Sequence, residues 1–312
     1  MPHAVTVVMP AYNAEDVVGE AIESVLGQTH TDWQLVVVDD GSTDRTPELV
    51  RAYADPRVRL LGIEHSGLPA VARNRGLAAS ESPFVAFLDA DDVWRPEKLA
   101  RQLALIASRP EVGLVHTGFE VLSGGVLEPA PPPYEGASPA PQFERLALLN
   151  FIANSSVLLR RELLERQGSF DEDPRFRGTE DYELWIRLSR DTTFDYVDEP
   201  LLVYRRSSSG LGQSEQMELG RVFVMEKMER LYPNLVSHLP VTYWRLVGQR
   251  RCLLGFDGRG RRELLRVLRQ RPTDGFAWKW LIYSTLPAGF LREHGGLRGW
   301  ALSALRRRPE RR

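Results

Sequence analysis

The sequence holds a single cysteine, Cys252, in 312 residues. A lone thiol excludes an internal disulfide framework and a Cys-rich zinc site. A reducing compartment fits that count, and so does a cysteine-poor secreted protein. No run of about 18 apolar residues occurs, so no membrane-spanning helix is expected. The nearest candidate, Trp280 to Leu291, is short and is broken by Pro287 and Gly289. Met1 to Pro10 shows no basic segment followed by a long apolar run, and no secretory signal is expected there. Positive charge is not in surplus. The chain has 40 Lys and Arg against 42 Asp and Glu, a net −2 that argues against a basic nucleic-acid binder. The first strand is not followed by a Gly-rich turn, which excludes a dinucleotide-dependent dehydrogenase. No Gly-Lys-Ser/Thr phosphate loop is present. The basic Gly-rich first loop usual in nucleotidyltransferases is also missing, although that class stays open.

What remains is ordinary for a globular protein: 43% hydrophobic and 26% charged residues. The length suits one large α/β domain with an appendage. Charge, however, is unevenly spread. Residues 245–312 carry 17 Lys or Arg against 5 Asp or Glu, a surplus of 12, so the remainder carries a deficit of 14. An acidic body with a basic tail suggests an anionic surface, such as membrane phospholipid, as a partner for the tail.

The first hundred residues alternate strand and helix patterns. Apolar runs at 5–9, 34–38, 58–61 and 84–88 read as strands. Helical spacing at 14–26, 46–53 and 69–79 separates them. This order implies βαβ units, a largely parallel sheet and helices on both faces. Residues 124–141 are rich in Pro and Gly and read as a loop or flap. A short helix from Phe143, a strand near 156–159 and a helix near 162–167 follow. Residues 180–190 form another helix, with Thr179 as its N-cap, and strands lie near 194–197 and 201–205. Beyond about 214 only helical patterns remain. The chain therefore divides into an α/β domain, 1–212, and a helical, basic region, 213–312.

Polar clusters stand at the carboxyl ends of these strands, where open α/β sheets bind ligands. They are Tyr12-Asn13, Asp39-Asp40 and Asp89-Ala90-Asp91-Asp92. Each alone reads equally well as turn or cap chemistry; a shared rim favours a site. Asp89 and Asp91, alternating beyond an apolar strand, suit one hard cation, Mg²⁺ or Mn²⁺, that would neutralise a diphosphate leaving group. Asp92 reads as a helix cap. Asp39 and Asp40 suit the N–H of a nucleobase or ribose hydroxyls, Gly41 allows a tight turn, and Asp44 reads as a cap. Glu180-Asp181 opens a helix whose free N–H groups favour the ionised carboxylate. An ionised aspartate there suits a general base, while a dipole-compensating role is the blander alternative.

Together these segments resemble the family 2 glycosyltransferases, inverting enzymes of the GT-A fold. The resemblance rests on Val7-Val8-Met9-Pro10-Ala11-Tyr12-Asn13, Ser24 to Thr29, Asp39-Asp40-Gly41-Ser42-Thr43-Asp44, Gly67 to Gly76, Phe87-Leu88-Asp89-Ala90-Asp91-Asp92 and Thr179 to Trp185. It implies a nucleotide-sugar donor, a UDP-sugar foremost, and a saccharide or lipid-linked acceptor in polysaccharide or glycoconjugate synthesis. It further implies that Tyr12 stacks on the base, Pro10 shapes that pocket, Asp40 bonds the base and Arg73 approaches the nucleotide. Asp89 would reach ribose or metal, Asp91 the metal. Asp181 would deprotonate the acceptor hydroxyl, with Glu180 and Trp185 on the acceptor side. Many relatives carry a His after a Tyr-Arg pair as a further metal ligand. Here Tyr204-Arg205-Arg206-Ser207 puts Ser207 in that place, leaving the metal shell to water, or Arg205 and Arg206 to help neutralise the diphosphate. A non-catalytic nucleotide-sugar binder is the alternative that a missing His keeps open.

No motif covers the last third of the chain. Phe276, Trp278, Trp280, Leu281, Ile282 and Tyr283 with Lys279 resemble an interfacial helix, or else aromatics packed into the protein with arginines facing water. The resulting expectation is a cytoplasmic protein, peripheral at the inner face of a membrane.

Overall fold

The structure is a computed structural model, and it describes residues 3–131, 142–206, 215–255 and 257–285. The chain forms two compact units, Met1–Gly220 and Arg221–Arg312.

The first unit begins with three strand–helix repeats, as the sequence pattern predicts. They comprise β1 (Val5–Ala11), α1 (Val18–Leu26), β2 (Trp33–Asp39), α2 (Thr46–Arg51), β3 (Val58–Gly62) and α3 (Pro69–Ala78), leading to β4 (Phe84–Phe87). These strands pair in parallel in the order β3-β2-β1-β4. Both faces are covered. Val5, Val7 and Met9 of β1 with Leu35 and Val37 of β2 pack on Val18, Ile22 and Val25 of α1. On the other face Val36 and Val38 of β2 meet Ala72 of α3. Gly76 lets α3 lie close to the sheet: a Cβ there would stand 2.5 Å from Val8 Cγ1 and 3.1 Å from Val38 Cγ2.

Residues 93–123, for which the sequence pattern assigns no element, supply the organising strand of the other half. β5 (Val93–Trp94) and α4 (Lys98–Ser108) lead into β6 (Val112–Ser123). Next come β7 (Val126–Pro129), α5 (Gln142–Leu148), β8 (Leu158–Arg160), α6 (Arg161–Gln167), α7 (Glu180–Leu188) and β9 (Thr193–Arg205). β8 runs antiparallel between β4 and β6, β6 runs parallel to β9, and β5 closes antiparallel on β9. The expected largely parallel sheet is thus parallel in its first four strands and mixed beyond them.

Two local readings change. The expected loop over 124–141 begins as a strand: Gly124 and Gly125 take φ 57° and 82°, and Ser123 pairs with Val126. Two consecutive positive φ values at the centre of a two-residue turn are what a twisted hairpin requires. Residues 132–141 of that span lie outside the described residues. The two short strands expected at 194–197 and 201–205 are one strand, β9, whose register against β6 slips at Thr117/Gly118. Gly118 sits at this bulge because a Cβ would approach Glu199 O to 2.9 Å.

The second unit contains, among its described residues, the latter part of α8 (Glu215–Leu231), then α9 (Pro233–Ser237), α10 (Val241–Leu253), α11 (Asp257–Gln270) and α12 (Gly275–Tyr283). Gly248 of α10 and Gly260 of α11 bring these two helices together; a Cβ on Gly260 would lie 2.5 Å from Cys252 Sγ.

Gly76→Ala tests the close approach of α3. A methyl group gains helix propensity, about 0.5–1 kcal/mol, but forces apart a stiff β-branched side chain in a packed core, which costs about 1–3 kcal/mol. The expected outcome is a lower urea midpoint at unchanged slope; an unchanged or raised midpoint would show that the sheet yields.

Candidate active site

Because β2, β1 and β4 run parallel, with Ala11 beside Asp39 and Val8 beside Phe87, their carboxyl ends share one rim. Pro10 and Tyr12 end β1. The Tyr12 ring is 46% exposed and stacks on His65, with centroids 4.2 Å apart and planes at 25°. Asn13 takes φ 47° and ties this turn to the next: its N–H donates to Ser42 Oγ at 2.9 Å, and its Oδ1 accepts from Thr43 N at 2.8 Å.

Asp40 is buried. Its carboxylate accepts the N–H groups of Ser66 at 2.8 Å and Gly67 at 2.9 Å, and its carbonyl oxygen lies 2.8 Å from His65 Nδ1. Asp40 therefore fixes the loop that carries His65, while each carboxylate oxygen keeps capacity for a further donor. Gly41, at φ 72°, makes the turn that allows this approach. The N-cap of α2 is Arg45 and not the expected Asp44, which precedes it and braces the turn by accepting from Thr46 N at 3.0 Å and Thr46 Oγ1 at 2.6 Å.

Arg73 of α3 is the centre of the second cluster. Its Nη1 donates to Glu180 Oε1 at 2.6 Å and its Nη2 to Asp89 Oδ1 at 2.7 Å. Burial weakens the hold of a guanidinium on its proton; here the charges of Asp89 and Glu180 outweigh it, and the proton is held more tightly than usual. Arg73 is buried, and its guanidinium is engaged by carboxylates on both sides. Glu180 is engaged at both oxygens, since the second accepts Gly178 N at 2.6 Å, and it thus faces Arg73 and its own loop. Trp185 is fully buried, 6.3 Å from the Phe87 ring, and offers no face to an acceptor.

The three aspartates after β4 differ. Asp89 Oδ1 also accepts from Asn154 Nδ2 at 3.1 Å. Asp92 is buried and accepts from Ser155 Oγ at 2.5 Å and Arg205 N at 3.0 Å, so it clamps the turn to β9 instead of capping a helix. Burial, and then the charges of Asp89 and Asp91, raise its pKa well above the ordinary value. The Asp91 carboxyl meets its own backbone N–H and takes no hydrogen bond or ion pair from another described residue. Burial, with the charge of Asp89 adding, pushes it up to about 6. The Tyr204 hydroxyl is also raised, by burial first and then by the charges of Asp92, Asp89, Asp91 and Asp181.

Asp181, in the first turn of α7, is the fourth of them. Its Oδ1 accepts Tyr182 N at 2.6 Å, and Asn150 Nδ2 stands 3.5 Å from Oδ2. Burial pushes it up to about 7; Glu180 adds to the rise and Arg73 opposes it. A carboxylate with such a pKa accepts a proton readily near neutrality. Thr179 precedes the helix but its hydroxyl bonds Phe176 O instead of capping. Ser207 lies outside the described residues. Arg205 is committed to Glu20 at 2.6 Å, and Arg206 is exposed. No local pattern marks His65, Asn154 or Ser155 in the sequence, and Tyr204 enters there only as half of the Tyr-Arg pair.

Asp89 and Asp91 carry hard oxygen donors of the kind that Mg²⁺ or Mn²⁺ takes, but among the described residues no three His, Cys, Asp or Glu side chains gather into a ready-made metal site.

A family model for "Glycosyl transferase family 2" matches residues 6–168, just over half of the chain. The Escherichia coli protein named UDP-Glc:alpha-D-GlcNAc-diphosphoundecaprenol beta-1,3-glucosyltransferase WfgD is 31% identical over 74% of this chain and 90% of its own. The putative teichuronic acid biosynthesis glycosyltransferase TuaG of Bacillus subtilis is 28% identical over 73% of this chain and 89% of its own. Among solved structures, S. aureus TarS 1-349 in complex with UDP-GlcNAc superposes with TM-score 0.61 at 19% identity, covering 93% of this chain and 92% of that one. The mannosyltransferase PcManGT of Pyrobaculum calidifontis, in complex with GDP-Man and Mn²⁺, gives 0.53 at 20% identity, covering 96% and 83%. These likenesses establish the GT-A-like α/β fold with helices after it. With the ordered clusters at the strand ends and a relative matched over nine-tenths of its length, the chain belongs to glycosyl transferase family 2.

Proposed function

We propose that this chain is an inverting, metal-assisted glycosyltransferase. It moves a sugar from a nucleoside-diphosphate sugar, a UDP-sugar foremost, to a hydroxyl of a saccharide or lipid-linked acceptor in cell-surface polysaccharide or glycoconjugate synthesis. One observation carries the reading. Arg73 joins Asp89, on the donor rim, to Glu180, the neighbour of Asp181, so one buried guanidinium ties the donor rim to the helix that carries the candidate base. WfgD, whose name specifies a UDP-glucose donor and a diphosphoundecaprenol-linked acceptor, supports the substrate class.

In this reading Tyr12 stacks on the base, Pro10 walls the pocket and Asp40 accepts a base N–H. Asp91 and the free oxygen of Asp89 hold the divalent ion, which when bound neutralises charge on the diphosphate. Asp181 takes the proton of the acceptor hydroxyl as that oxygen attacks the anomeric carbon. The nucleoside diphosphate departs from the opposite face, and configuration inverts in one displacement. A diphosphate leaving group needs no protonation, so no second acid is required, in contrast to glycoside hydrolysis. Glu180 and Trp185 act from behind the site, one by holding Arg73 and the other by packing. A lipid-linked acceptor places the chain in the cytoplasm, peripheral to the inner face of the membrane.

Asp181→Asn is expected to leave nucleotide binding intact while kcat falls on the order of 10²–10⁴-fold; full turnover removes Asp181 from the mechanism. The raised pKa also fixes a sign. The folded Asp181 binds its proton more tightly than the unfolded chain, so stability is lost as pH rises from the unfolded value toward about 7. The same substitution should therefore raise Tm at pH 8 and change it little at pH 4. In the wild type, kcat/KM should climb with pH and level off above about 7.

Nucleotide sugars screened by thermal shift identify the donor, since a ligand of the folded state raises Tm by mass action. Mn²⁺ is expected to enlarge the shift for the true donor, and Asp91→Asn to abolish that increment alone. An increment surviving in the variant would place the ion elsewhere.

A further inference from the structure

The aromatic run near the end of the chain is two-sided. Ala277, Trp280 and Ser284 of α12 are buried, and Phe276 lies under Arg245, whose guanidinium is 4.5 Å from the ring centroid. Trp278 and Ile282, four residues apart and so on one helix face, point outward at 51% and 61% exposure. Trp278 is held in that direction, because its Nε1 donates to Pro272 O at 2.8 Å. The neighbouring helix α11 shows the same division. Leu264, Val267 and Leu268 are buried, while Leu265, 46% exposed, is flanked on its outer face by exposed Arg262 and Arg269. Arg261 joins the two helices by donating from Nε to Ser284 Oγ at 2.9 Å.

The outer faces of two packed helices thus present large apolar side chains among arginines. α11 holds five arginines against Asp257 and Glu263. Such a surface costs free energy in water and suits a partner that is apolar at depth and anionic at its surface. A second copy of the same basic face would meet it with like charge. No helix among the described residues is long and apolar enough to cross a membrane, so the surface lies on its partner rather than through it.

We propose that the outer face of α11 and α12, centred on Trp278, Ile282 and Leu265 and ringed by Arg262 and Arg269, docks onto an anionic phospholipid bilayer. Tryptophan settles at the headgroup boundary, where its ring is apolar and its N–H is polar. Arginines contact the phosphates, and exposed apolar side chains enter the acyl boundary. The purpose of this docking rests on the proposed lipid-linked acceptor; the binding itself does not.

The test is sedimentation of the full chain with phosphatidylcholine vesicles, with and without phosphatidylglycerol. The wild type should sediment with the anionic vesicles only and be released by salt, which screens exposed charge. The exposed pair Trp278→Ser with Ile282→Ser should weaken binding about tenfold or more, at unchanged Tm and unchanged nucleotide-sugar thermal shift. Arg262→Glu with Arg269→Glu should do the same and reduce the salt dependence. The proposal is overturned if the wild type stays in the supernatant, or if the apolar pair is dispensable. It is also overturned if light scattering shows a dimer that this pair abolishes. The thermal shift is read without vesicles, so failure of the donor reading and failure of membrane docking are seen separately.

Discussion

Arg73 places a positive charge where the fold has removed water, and the candidate site is arranged around that charge. Its two carboxylate partners lie 16 and 107 residues along the chain. Three segments therefore meet at one guanidinium: helix α3, the turn after β4 and the start of α7. A buried pair repays its desolvation poorly, yet removing one partner leaves an unpaired buried charge and is strongly destabilising. The planar fork also fixes direction. One N–H edge sets Asp89 on the donor rim; the other sets Glu180, and with it the first turn of α7, where Asp181 begins the helix. Geometry between donor and acceptor halves is thus held by an ionic tie inside the site.

That tie does not neutralise its surroundings. Asp91, Asp92 and Asp181 all bind their protons more tightly than free carboxylates do, in each case chiefly because of burial. The fold accepts this cost, as functional sites commonly do. The three carboxylates use it differently. Asp92 is committed to Ser155 and Arg205 and so resembles masonry. Asp91 has no such commitment among the described residues, and a hard cation would relieve its repulsion from Asp89. Asp181 is raised to the range where a carboxylate exchanges a proton near neutrality. Under the proposed mechanism, neighbouring acids of one type are in this way sorted into clamp, ligand and base by their environments.

Sequence pattern revealed the parallel half of the fold because β1, β2 and β4 are unbroken apolar runs, which strands covered on both faces require. It was silent on β6, the strand on which the mixed half is built. There Gly113, His116 and Gly118 interrupt the apolar pattern. Both glycines are demanded by close neighbours, Thr192 and Glu199, that lie far along the chain. The acidic clusters were legible since each follows a strand directly. Their partners were not, because hydrogen bonding between α3 and α7 leaves no trace in local spacing. Trp185 shows the limit clearly. It lies one turn beyond Asp181 on the same helix face, but by that turn α7 is already packed against Phe87. Periodicity reports the face of a helix and not its depth.

The charge asymmetry acquires a physical consequence once the second unit is considered beside the first. Residues 1–244 carry a deficit of 14 charges and residues 245–312 a surplus of 12. Near a negatively charged bilayer, within a Debye length of about 8–10 Å, one part is repelled and the other attracted. Apolar insertion alone would hold α12 at the surface with little control over the rest of the chain. In the proposed docking the arginines of α11 add attraction to lipid phosphate, so charge and apolar contact act together. Under the proposed reading the acceptor is itself lipid-linked, so residence at the bilayer would raise the concentration of acceptor that the enzyme meets.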